Sequence, residues 1–123
     1  MTNEEINALT DPQINVMVTR CVHNAECYTQ YDEKNNFIYS DDSVHGVLNG
    51  IKVEDYCNDP AVMMPIVIKE KINLISSTGD LWGASWNDGG GKWSIDDYKH
   101  HHKNPLRAAA IVYLKMKGFC DGI

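Results

Sequence analysis

Asn104-Pro105-Leu106-Arg107-Ala108-Ala109-Ala110-Ile111-Val112-Tyr113-Leu114, with Gly118 closing it, decides how the chain folds. The Asn104 side chain is suited to accept from the first free amides of a helix, and Pro105 then takes the first helical position, where a missing N–H costs nothing. The run Ala108 to Leu114 is apolar without a break. Over about two turns it leaves no polar face, which predicts burial nearly all round, in the middle of a domain or between subunits. Lys115 and Lys117 suit the negative end of the helix, and Gly118 suits a left-handed stop.

Outward from that helix, the chain of 123 residues predicts a single domain spanning 1–123, large enough for a core without staples. Its formal net charge of −6 supplies no extended basic face, so binding along a nucleic-acid backbone is disfavoured. No apolar run approaches the ~20 residues that span a bilayer, and Met1-Thr2-Asn3-Glu4-Glu5 does not read as a signal peptide. A protein of the cytoplasm is expected. Cys21, Cys27, Cys57 and Cys120 form no C-x-x-C pair and read as free thiols.

Three dipeptides, Asp11-Pro12, Asp59-Pro60 and Asn104-Pro105, each read as a cap followed by a first-turn proline. They predict helices near 12–23, 60–70 and 105–117. In the first, Ile14, Met17, Val18, Cys21 and Val22 make an apolar stripe, opposite Gln13, Asn15, Thr19 and Arg20. The segment Asn3 to Leu9 reads as a short helix or a frayed arm. Pro65 is expected to bend the second helix locally. Lys34-Asn35-Asn36 reads as a turn, Asn49-Gly50 as a hairpin, and Ser40 to Ser43 as a mobile loop. Ile72 to Ile75 and Leu81 to Trp86 read as antiparallel strands, Asn87 to Gly91 as a loop, and Lys92 to Ile95 as a third short strand. The predicted class is α+β: a small, mostly antiparallel sheet of about three to four strands packed with about three helices.

Blocks of this chain resemble a known family. Asp55-Tyr56-Cys57-Asn58-Asp59-Pro60, Met64 to Ile68, Ile72-Asn73-Leu74 and Asn104-Pro105-Leu106-Arg107-Ala108-Ala109, with Ile111 to Leu114, look like the NinX-like proteins of tailed bacteriophages. Asp11 with Ile14-Asn15 echoes the start of that family; Cys27 to Val53 and Asn87 to Lys99 depart from it. The resemblance implies a phage accessory protein made in the cytoplasm of an infected bacterium. The layout is more weakly similar to phage domains built as a helix–sheet–helix sandwich, a likeness of fold and not of chemistry.

Four sets of residues are candidates for chemistry. Arg107, Asn104, Lys103 and His102, with His100 and His101, put cationic groups beside a helix start and predict a site for phosphate or carboxylate. The alternative is that Arg107 pairs with an acid from Glu54-Asp55 or Asp96-Asp97 and locks the helix. Trp82 and Trp86 share a strand face and suit base stacking; alternatively they pack on Ala108, Ala109 and Ala110. His100 and His102 lie on one side of an extended chain, where two imidazoles can share a metal; a solvated turn is the plainer expectation, and no metal is assigned. Asp96 or Asp97 with a His suits acid–base catalysis; no Ser elbow, H-E-x-x-H or phosphate loop marks an enzyme, and no cofactor is implied.

The expectation is thus a non-enzymatic phage protein that sequesters a small anionic, nucleotide-like ligand as counter-defence. A protein–protein interaction module acting on a host or phage protein through an acidic, Tyr-rich 26–56 region is the alternative, and a nucleotide hydrolase the third. A homo-oligomer is expected, since so small a domain has limited interior for helix 108–114.

Overall fold

A computed structural model describes residues 2–40, 50–86 and 98–118. Its elements run α1 (Asn3–Ala8), α2 (Asp11–Val22), β1 (Gln30–Asp32), β2 (Phe37–Tyr39), β3 (Ile51–Lys52), α3 (Pro60–Glu70), β4 (Asn73–Ser76), β5 (Trp82–Trp86), β6 (Tyr98–His102) and α4 (Pro105–Met116). Two antiparallel three-stranded sheets form, in the orders β1-β2-β3 and β4-β5-β6. The α+β class is as read. The Val47-Leu48 arm of the Asn49-Gly50 hairpin, the 41–43 part of the expected mobile loop, the 87–91 loop, the 92–95 strand, Asp96-Asp97 and Cys120 lie outside the described residues.

Helix α4 packs across β4, β5 and β6 and against α2 and α3. Ala108, Ala109, Ala110, Ile111, Val112 and Leu114 are fully buried, and Tyr113 nearly so. The three alanines present only methyl groups, so the helix axis lies close to the sheet, where Ala84 meets it. Each large apolar side chain buried there contributes about 1.5–3 kcal/mol. A single chain therefore covers this helix completely, which removes the reason for expecting subunits to cover it. Gly118 takes φ +79° just past the helix, the left-handed stop the sequence predicts.

Helix α2 serves two cores. Ile14 and Val18 join the main cluster with Ile6, Met63 and Val67, while Val16 turns to a smaller one with Ala25, Ile38 and Val53 beneath β1-β2-β3. This changes the predicted faces. Asn15 and Thr19, read as solvent-facing, are buried, and Val22 is more than a third exposed. A helix pressed between two clusters has no side left to give wholly to water. Thr19 meets its burial by donating Oγ1 to the Asn15 carbonyl at 2.8 Å.

The register of the second sheet alternates the histidines. His100 lies opposite Ala84 and is buried, His101 lies opposite Gly83 and is exposed, and His102 lies opposite Trp82. They form a strand, not the solvated turn expected. Helix α1 is a defined helix, held by a capping box between Thr2 and Glu5. Helix α3 continues through Pro65, and no helix among the described residues is long and apolar enough to cross a membrane.

Candidate functional site

The start of α2 is built differently from its sequence reading. Thr10, not Asp11, is the N-cap: its hydroxyl accepts from Gln13 N at 3.3 Å, and the Gln13 carboxamide accepts from Thr10 N at 2.8 Å. This reciprocal box satisfies the free amides. It releases the Asp11 carboxylate, which accepts from Arg107 Nη1 at 2.6 Å through Oδ1. Arg107 Nη2 donates to the Leu9 carbonyl at 2.6 Å. The guanidinium is thus spent between α1, α2 and α4, and only 7% of the side chain is exposed. Both terminal nitrogens of Arg107 bond within the protein itself. Its acid is Asp11, not Glu54 or Asp55; capping by Thr10 leaves that carboxylate free to accept from it.

The Asp55 to Pro60 block closes over the same place. Asn15 donates to Asp55 Oδ1 at 3.0 Å, and its carbonyl oxygen accepts from Cys57 N at 3.1 Å. Asn58 Nδ2 donates to Asp55 Oδ1 at 3.1 Å and to Asp11 Oδ2 at 3.2 Å. Asn104 caps α4 through Leu106 N and Arg107 N, while its Nδ2 donates to the Cys57 carbonyl at 2.6 Å. The family blocks meet in one polar seam that joins three helix starts. Asp59 caps the third, accepting from Ala61 N at 2.9 Å.

Charge follows from this packing. Burial pushes the Asp11 carboxyl up, but the bond and charge of Arg107 and the bond from Asn58 outweigh it and hold the group below its ordinary value. Burial first, then the Asp11 charge, pushes the Cys57 thiol up to about 12, so it is no nucleophile. His100, pressed into the core with Lys115 and Arg107 nearby, is pushed down to about 4 and stays neutral. Its Nε2 and the Nε of Arg107 are buried without a hydrogen-bond partner.

His102 lies near Arg107, and burial first, then that charge, pushes its imidazole down. His102 Nδ1 accepts from Asn104 N at 2.9 Å, which leaves its proton on Nε2. Lys103 is exposed and lies 3.5 Å from Asp80, a surface pair worth little. Trp86 packs against the main core, whereas Trp82 is 39% exposed. One indole serves packing and the other meets solvent. Among the described residues no group of three or more His, Cys, Asp or Glu side chains stands ready to hold a metal ion.

Beside the seam an open hollow of about 300 Å³ is lined by Asp11, Asn15, Tyr31, Asn36, Asp55 and Asn58. Tyr31 donates its hydroxyl to Asn36 Oδ1 at 2.8 Å, and Asn36 Nδ2 donates to the Val53 carbonyl at 3.0 Å. Asp11 is answered by Arg107, but Asp55 has no cationic partner among the described residues. The hollow therefore carries negative charge and amide groups on a rigid rim. The hollow itself was not read from the sequence; its one signal there was that Asp11, Asn15, Asp55 and Asn58 all belong to the blocks that carry the family resemblance.

A model of the family described as "Bacteriophage P22, NinX" matches residues 5–117 of the chain, a span that contains every residue of the seam. No curated protein and no solved structure matches it.

Proposed function

Because the chain belongs to the bacteriophage P22 NinX family, we propose that it is a phage accessory protein that works in the infected bacterium by binding another protein, without catalysing a reaction. The hollow beside the seam would take a Lys- or Arg-bearing segment of a host or phage protein. One observation carries this reading: Arg107 is consumed by Asp11 and the Leu9 carbonyl, while the adjacent opening offers Asp55 with no cation against it and the ring of Tyr31. A carboxylate and an aromatic face together suit a guanidinium or ammonium group.

Affinity capture from infected-cell lysate, followed by titration of the captured partner, tests it. Asp55→Asn keeps the amide geometry and removes the charge, and is expected to weaken binding about tenfold. Tyr31→Ala weakens it comparably, and Lys103→Ala leaves it unchanged. A partner indifferent to Asp55→Asn and Tyr31→Ala overturns the reading.

Sequestration of a nucleotide-like signal is the second reading, and Trp82 favours it: the indole is partly exposed and lies opposite His102, one residue before Lys103. Calorimetry against nucleotides and cyclic nucleotides is its test, and heat abolished by Trp82→Ala and Lys103→Ala would put it first. For a nucleotide hydrolase neither Cys21 nor Cys57 is an activated thiol, since burial raises both.

A further inference from the structure

A helix lying on a protein surface ordinarily turns polar residues to water. Helix α3 has none from Pro60 to Ile68. Its inner side, Met63 and Val67, is buried in the main core. Its outer side presents Ala61, Pro65 and Ile68, one above another at helical spacing, with Met64 at the margin. Ile68 is 72% exposed, more than any other large apolar residue among those described. The helix is greasy all round yet covered on one side.

We propose that this outer face seats a second copy of the chain, α3 against α3, antiparallel about a twofold axis passing beside Met64 and Pro65. The charges at the two ends select that occupant and that direction. Asp59 stands exposed at the start of the helix, and Lys69 and Lys71 stand exposed at its end without an ion pair among the described residues. Glu70, the one acid at that end, is held by Lys117 at 3.2 Å. An antiparallel pair sets each Asp59 near the partner's Lys69 and the partner's Lys71, and opposes the two helix dipoles. A parallel pair would set like charges together. Shape agrees with charge. Ala61 and Ile68 are equally far from an axis between Met64 and Pro65, so the twofold lays the partner's Ile68 over Ala61, whose methyl leaves room for it. The contact runs about 16 Å along an 11-residue helix. That puts it at the small end of specific interfaces, and the dimer dissociates in the micromolar range. The inference is independent of what the hollow binds.

Sedimentation equilibrium from about 1 to 300 μM tests it. A reversible monomer–dimer equilibrium is expected. Ile68→Glu buries a charge at the middle of the contact and raises the dimer Kd about 100-fold. Lys69→Glu combined with Lys71→Glu raises it about tenfold. Ile75→Glu, placed on β4 where the side chain is 59% exposed, leaves it unchanged. Circular dichroism and an unaltered Tm show that Ile68→Glu remains folded. A chain monomeric throughout that range overturns the proposal, as does a dimer that survives Ile68→Glu or is broken by Ile75→Glu.

Discussion

Helices α2 and α4 both begin at an Asx-Pro step, yet the two steps are used in opposite ways. At Asn104-Pro105 the side chain serves its own helix, accepting from Leu106 N and Arg107 N, and its remaining amide hydrogens tie down Cys57 and Asn58. At Asp11-Pro12 the preceding Thr10 has already closed the helix with Gln13, and the Asp11 carboxylate serves α4 instead by binding Arg107. A short polar residue before proline therefore marks a helix start. Which neighbour does the capping determines whether that residue is spent locally or is left for a partner nearly a hundred positions away.

The largest test of this difference is Arg107→Ala. Truncating this buried side chain opens a cavity where the three helices meet and strands the Leu9 carbonyl, and about 3 kcal/mol of stability is expected to go, read from the urea midpoint. Asp11→Asn costs less, since the amide oxygen that replaces the carboxylate still accepts from Arg107. The double variant is expected to cost less than the sum of the two. Additivity would mean that the pair is not coupled.

Acid comes next. His100 is held to about 4 in the folded chain against an ordinary 6.5, so between those values the unfolded chain binds more protons. Stability accordingly falls as pH drops through that window, by up to about 3 kcal/mol. Asp11, whose folded value is lowered, adds a further loss only below the ordinary carboxylate value of about 4. Urea unfolding at a series of pH values separates the two, because His100→Leu flattens the upper window and leaves the lower one.

Asn104→Ala removes a cap and strands the Cys57 carbonyl, for about 2 kcal/mol. Thr10→Ala is the smallest, about 1 kcal/mol, and it sharpens the contrast. If Asp11 then abandons Arg107 to cap α2, the loss approaches that of Arg107→Ala. If it stays, the loss remains that of a cap alone. Crossing Thr10→Ala with Arg107→Ala distinguishes the two outcomes.

Much of the fold was legible in the chain because local chemistry carried it. Proline and its preceding residue placed the three longer helices to within a residue, and an unbroken apolar run marked α4 as the core helix. Strand β6 has no counterpart in that reading: Tyr98 to His102 is a strand whose alternation came from pairing with β5, and histidines show no such preference. The candidate site was less legible. The sequence singled out Arg107, but its acid lies 96 positions away in sequence. Asn15 looked solvent-facing from helical periodicity and is buried, because periodicity counts one apolar face and α2 has two.

By itself the sequence determined where the helices start and stop, that the last of them is enclosed, and that the α+β class follows, since capping, proline geometry and apolar runs act over a few residues. Only the tertiary structure decided that Asp11 answers Arg107, that His100 turns inward while His101 turns out, and that Asp11, Asn15, Asp55 and Asn58 line one hollow. Hydrogen bonds and ion pairs depend on where groups arrive in space, and that position is set by how α2 and α4 pack rather than by any short stretch of chain.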